Sequence, residues 1–175
     1  QMVTSYQVYH TAEHSRFAQS LGVYEIIRRM VNEVKGLDEF LSEVEKIQIM
    51  CAGLLHDLGL GPFSHFFESI LTPNHEKLTA MIILGDSDIH RILMKYASDL
   101  PEQIVSILNH SHPNKVMSRM ISSQLDADRM DYLLRDAYFT GTSYGTFDLE
   151  RILRTLRIVD DRLVIKESGV HSVED

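Results

Sequence analysis

The chain has 175 residues, 44% of them hydrophobic, and a formal net charge of −8. That is enough apolar material for one core, and no Pro/Gly/Ser-rich linker or low-complexity run divides it, so a single domain is expected. The acidic balance argues against a broad nucleic-acid-binding face, because its field would repel a phosphate backbone. A local basic pocket for a nucleotide remains compatible with it. Cys51 is the only cysteine, which excludes an internal disulfide, and it reads as a small core residue. With no apolar stretch of about 18 residues and no signal-like start, a cytoplasmic protein without membrane attachment is expected. The chain begins at Gln1 rather than methionine and is expected to be a fragment of a longer protein.

The pattern along the chain is helical. Gly22 to Val34 carries Val23, Ile26, Ile27, Met30 and Val31 at helical spacing, and Leu37 to Leu58 repeats it with Phe40, Leu41, Val44, Ile47, Met50, Cys51, Leu54 and Leu55. Both are expected to be amphipathic helices, the second stopped by Gly59, Gly61 and Pro62. Pro73-Asn74 precedes a helix from about His75 to Leu84, Asp88 to Ala97 makes a short one, and Pro101 suits the first turn of another reaching about His110. Helices over Ser118 to Tyr138 and Asp148 to Leu156 complete the set. Arg157 to Ile165 holds two β-rich runs about Asp160-Asp161, the pattern of a small hairpin. The expected fold class is all-α with a small C-terminal β-hairpin.

The second helix ends in His56-Asp57, an ionisable pair closing an apolar run. Burying an unpaired carboxylate costs several kcal/mol, roughly, so a cation should stand near it. The simplest is a metal that takes an imidazole nitrogen and a carboxylate oxygen together.

Three blocks carry a resemblance that spans the chain. They are Glu13-His14-Ser15-Arg16-Phe17-Ala18-Gln19-Ser20-Leu21-Gly22, the segment His56-Asp57-Leu58-Gly59-Leu60-Gly61-Pro62, and Gln124-Leu125-Asp126-Ala127-Asp128-Arg129-Met130-Asp131-Tyr132 through Asp136. In order and spacing they resemble the HD-domain phosphohydrolases. Within these the likeness is to the dNTP triphosphohydrolase branch, which contains the sterile-alpha-motif and HD-domain protein and its bacterial relatives. The resemblance implies one divalent metal held by His56, Asp57, Asp128 and the residue at position 19, with Mn, Mg, Fe, Zn and Ni not distinguished. It implies a dNTP substrate, a homo-oligomer, and a regulatory nucleotide contacted through Asp148 and Arg151.

Two positions depart from the family pattern. Where Arg-Phe-x-His-Ser-Leu-Gly is usual, this chain has Gln19, whose neutral amide oxygen is a weaker donor than imidazole to late divalent metals. Where His-Asp-Leu-Gly-His-Gly-Pro is usual, it has Leu60, which cannot transfer a proton. His65 and His75 match histidines of the family's phosphate pocket, and either could protonate a leaving oxygen. His14 also matches the family, whereas His110 and His112 flank a turn and read as structural.

Substrate recognition is expected from the third block. Arg129, Tyr132 and Asp136 fall at i, i+3 and i+7 of one helix, and Asp128 aligns with Tyr132 and Asp136 at i, i+4 and i+8. The resemblance assigns Arg129 and Arg16 to phosphate, Tyr132 to the deoxyribose, Asp136 to a sugar hydroxyl and Gln1 to the 3′-hydroxyl. The expected function is metal-dependent hydrolysis of a dNTP to deoxynucleoside and triphosphate. The alternatives are a catalytically weakened nucleotide-binding relative, in view of Gln19 and Leu60, and a hydrolase of another phosphorylated nucleotide.

Overall fold

Ser15 sets the start of the first long helix. Its hydroxyl oxygen accepts the Ala18 amide at 3.1 Å, satisfying one of the free donors of a first helical turn. Helix α1 then runs over Arg16–Glu33, earlier than its apolar spacing indicated, because the cap and not Phe17, which is 71% exposed, defines the entry. The computed structural model describes residues 5–61 and 74–169, so Gln1 and His65 lie outside the described residues.

The helix expected over Leu37 to Leu58 is two helices, α2 (Leu37–Phe40) and α3 (Glu43–Leu55). Leu41 is extended between them. Ser42 and Glu45 close a reciprocal capping box, Ser42 Oγ accepting the Glu45 amide at 3.2 Å and Glu45 Oε2 the Ser42 amide at 2.9 Å. The helix expected over Ser118 to Tyr138 is likewise two, α7 (Lys115–Ile121) and α8 (Ala127–Thr140). Here Asp126 restarts the helix by accepting the Arg129 amide at 2.6 Å and the Ser123 amide at 2.8 Å. The others fall close to expectation: α4 (His75–Leu84) behind its Asn74 cap, α5 (Asp88–Tyr96), α6 (Leu100–Leu108) with Pro101 in its first turn, and α9 (Leu149–Thr155). Strands β1 (Leu156–Val159) and β2 (Arg162–Ile165) pair antiparallel, Leu156 opposite Ile165. Asp160 and Asp161 both adopt positive φ, 49° and 54°, as a two-residue turn matching the strand twist requires.

Helix α1 packs against both α3 and α8. Val23, Ile27 and Met30 are wholly buried against Ile49 and Ala52 of α3 and Ala127 and Met130 of α8, each large side chain contributing about 1.5–3 kcal/mol. Two glycines set the spacing. A Cβ at Gly53 would strike Ile27, and one at Gly22 would strike Asp131 and Arg135. The outcome is a mostly helical domain with one small hairpin, and among the described residues no helix is long and apolar enough to cross a membrane.

Candidate metal centre and substrate face

Helix α3 ends in the core, and its last turn presents His56. The imidazole Nδ1 lies 2.8 Å from the Gly53 carbonyl. A carbonyl can only accept, so Nδ1 carries the proton and Nε2 keeps its lone pair. That Nε2 is buried and has no hydrogen-bond partner among the described residues. It stands 3.5 Å from Asp57 Oδ2 and 3.4 Å from Asp128 Oδ1. Ligand atoms each about 2.1 Å from one ion lie roughly 3.0–3.5 Å apart at ordinary coordination angles, and each of the two separations, taken singly, falls in that range.

Two side chains of α1 reach the same carboxylates. The Arg16 guanidinium pairs with Asp57 Oδ2, and Gln19 donates its amide N–H to Asp128 Oδ1. Arg16 Nη1 lies 3.4 Å from Gln19 Oε1. With these oxygens engaged, no three His, Cys, Asp or Glu side chains among the described residues close around one point as ligands of one ion would. Position 19 therefore faces the cluster, 3% exposed, but with its amide nitrogen toward Asp128. Burial disfavours a charged His56, yet the Asp128 and Asp57 carboxylates outweigh it and raise the imidazole pKa. Burial also pushes Asp128 upward, and His56, Arg16 and Gln19 together hold it below the usual carboxylate range.

The turn carrying the pair is clamped from α4. Thr79 is fully buried; its Oγ1 accepts the Gly59 amide at 2.8 Å and donates to the His56 carbonyl at 3.3 Å. A Cβ on Gly59 would run into the His75 carbonyl and the Thr79 amide, so only glycine allows this approach. Thr79→Val, which keeps the shape and removes the hydroxyl, is expected to lower divalent-metal affinity about 10-fold, the usual scale for a group that orients a ligand. Thr79→Ser should restore it. Manganese titration of the three proteins checks this, and an unchanged affinity in Thr79→Val would remove the clamp.

Asp126 starts α8 so that Asp128 sits in its first turn, with Arg129, Tyr132 and Asp136 following. Arg129 is exposed, its Nη1 3.3 Å from the Gln124 carbonyl, and Tyr132 is half-buried. Asp136 meets His14, which sequence reasoning left without a role. His14 Nε2 is 3.0 Å from Asp136 Oδ1, the imidazole is 3% exposed, and its ring centre is 5.1 Å from that of Phe139. Burial lowers the His14 pKa despite Asp136, and His14 Nδ1 has no hydrogen-bond partner among the described residues. Leu60 follows the pair in the turn, its amide bonded to the Asp57 carbonyl at 3.1 Å, and His75 opens α4.

Asp148 and Arg151, expected from the resemblance to meet a regulatory nucleotide, have local partners. Asp148 caps α9 by accepting the Arg151 amide at 3.0 Å, and Arg151 Nη2 donates to the Ser168 carbonyl at 2.8 Å. His110 sits at positive φ, and buried His112 accepts the Asn114 amide at 3.1 Å, both shaping the α6–α7 turn.

Residues 16–136 match the family model of the HD domain, a stretch that begins at Arg16 and ends at Asp136. The chain belongs to the HD-domain family. YwfO of Bacillus subtilis is 53% identical over 100% of this chain, which covers 40% of that protein. A Dictyostelium discoideum homologue of the deoxynucleoside triphosphate triphosphohydrolase SAMHD1 is 30% identical over 99% of the chain, which covers 36% of it. The crystal structure of a phosphohydrolase from Bacteroides thetaiotaomicron superposes with a TM-score of 0.86 at 32% identity, over 99% of this chain and 42% of that one. This HD domain thus spans about two fifths of the length of such relatives, and it resembles the dNTP triphosphohydrolase branch.

Proposed function

We propose that this HD domain is the catalytic part of a metal-dependent phosphohydrolase that splits deoxynucleoside triphosphates into deoxynucleoside and triphosphate. The observation that carries the reading is the buried His56 Nε2, without a hydrogen-bond partner among the described residues, between the Asp57 and Asp128 carboxylates. Asp128 stands in the first turn of a helix that also carries a cation, Arg129, a ring, Tyr132, and a second carboxylate, Asp136. The names of the phosphohydrolase and triphosphohydrolase relatives support it.

His56, Asp57 and Asp128 would hold one divalent cation, with Gln19 as a weak fourth donor if its amide turns over. Such a cation supplies positive charge at the phosphate and lowers the pKa of a water molecule. Arg16 would turn on its flexible stem from Asp57 to a phosphate oxygen, and exposed Arg129 would take another. Tyr132 would pack beneath the deoxyribose, where a 2′-hydroxyl finds neither room nor partner. Asp136, held by His14, would accept a sugar hydroxyl. Water attacks the α-phosphorus, the bond from phosphorus to O5′ breaks, and O5′ takes a proton. His75 or His65 would deliver it, since Leu60 has none to give.

A second reading, binding without turnover, is favoured by one contact: Gln19 donates to the carboxylate that a metal would need. The test is chromatography of products after incubation with mixed dNTPs and manganese. Deoxynucleoside with triphosphate supports hydrolysis as proposed, other phosphate products point to another nucleotide hydrolase, and thermal protection without products supports the binding reading. Gln19→His is expected to raise manganese affinity at least about 10-fold, because it exchanges an N–H donor for an imidazole lone pair. Calorimetric titration that shows no gain would mean that position 19 does not face the ion.

A further inference from the structure

Away from the His56 cluster, the hairpin turn, the α6–α7 loop and the end of α2 line an open cleft of about 500 Å³. Its lining shares no residue with the cluster. Lys115, Arg119 and Arg162 contribute three cations, Phe40 and Pro113 an apolar surface, and Asp160 and Asp161 two carboxylates.

The cations are distinguished by what they lack. Elsewhere the arginines of this acidic chain are engaged: Arg28 with Glu25, Arg29 with Glu33 and Glu150, Arg91 with Asp86 and Asp88, Arg135 with Asp131. Among the described residues only Arg119, Arg154 and Arg162 make neither an ion pair nor a hydrogen bond through their side chains. Two of these three line this one cleft. Lys115 is fixed there, its Nζ donating to the His110 carbonyl at 2.8 Å with two further N–H donors left over. Asp160 and Asp161 are not within ion-pair distance of any of the three among the described residues, so no direct ion pair occupies the cations' donors.

We propose that this cleft binds a small phosphorylated molecule with an aromatic or apolar portion. Guanidinium groups present paired N–H donors that match phosphate oxygens, and Lys115 adds a point charge. The ring of Phe40 and the face of Pro113 receive the apolar portion, while the two aspartates accept hydrogen bonds from hydroxyl or amino groups of the same molecule. The volume is that of a small-molecule site.

The experiment is an amide chemical-shift titration of the ¹⁵N-labelled chain in metal-depleted buffer, with phenyl phosphate and with inorganic phosphate as probes. Saturable shifts are expected over Asn114–Arg119 and Asp160–Leu163, with a Kd on the order of 0.1–1 mM for phenyl phosphate and several-fold weaker binding of inorganic phosphate. Arg119→Gln and Arg162→Gln, both exposed positions, are each expected to weaken phenyl phosphate about 5- to 10-fold, and Arg154→Gln is expected to leave it unchanged. Shifts confined to the surroundings of His56, or an equal loss in Arg154→Gln, would overturn the site. Equal affinity for the two probes would overturn the apolar half of the proposal.

Discussion

The His56→Ala protein is expected to lose divalent-metal affinity by roughly 10²- to 10⁴-fold while remaining folded. The imidazole is the one nitrogen donor among the three candidate ligands, and deleting one partner of a buried charged cluster typically costs about 3–5 kcal/mol, or roughly two to four powers of ten in affinity. The fold should survive, because the His56 side chain contributes one bond, to the Gly53 carbonyl. Asp57 and Asp128 keep Arg16 and Gln19 as partners. Asp57→Asn should behave alike for metal, since the amide retains the shape and removes the charge. Manganese titration with circular dichroism of each variant separates binding from folding. Metal content equal to that of the parent protein in either folded variant would show that the ion, if one binds, is held elsewhere. Any dNTP hydrolysis should fall with the metal. Activity retained after metal is lost would exclude the cation from the reaction while leaving its binding intact.

How much of this was legible beforehand depends on what marks each feature. Helix starts with a side-chain cap or a first-turn proline, at Asn74, Pro101 and Asp148, lie within a residue or two of where the sequence puts them. The two breaks were missed because apolar periodicity ran across them. Leu41 stays buried at 3% exposure through the first break, so the pattern reads as continuous, although Ser42-x-x-Glu45 is a capping-box signature in plain view. Asp126, restarting α8, is the same kind of signal.

For the cluster, no periodicity links α1 to α3 and α8. Positions 19, 56, 57 and 128 were assembled only by the family resemblance, and these are the positions that meet. The orientation of Gln19 could not be read, because an amide offers a donor and an acceptor from one side chain. Thr79 had a usable signal: a hydroxyl within the apolar run Leu78-Thr79-Ala80-Met81-Ile82-Ile83 must find partners when buried, and it finds them on the turn that carries His56 and Asp57. His14 as the partner of Asp136 had none, since the contact joins the loop before α1 to the far part of α8.

The approach of α1 to α8 yields the second large effect. Gly22→Ala is expected to cost about 2–4 kcal/mol, lowering the melting temperature by roughly 5–15 °C for a chain of this length. In a straight helix alanine is favoured over glycine by about 1 kcal/mol, so a loss must come from space. The new methyl would overlap Asp131 Oδ1 and Arg135 Nη2. Those atoms belong to a two-bond ion pair, 2.8 Å at each contact, whose aspartate side chain is 8% exposed. Moving the carboxylate aside strands a buried charge, and moving the helix draws Gln19 and Arg16 away from Asp128 and Asp57. A double-mutant cycle separates these causes. With Asp131→Ala already present the carboxylate overlap is gone and Arg135, released from its ion pair, can swing its flexible stem aside, so adding Gly22→Ala should be neutral or stabilising by up to about 1 kcal/mol. Denaturation midpoints for the four proteins decide the matter. If the single variant melts with the parent, the contact between these helices yields easily, and the position of Gln19 against Asp128 does not depend on the glycine.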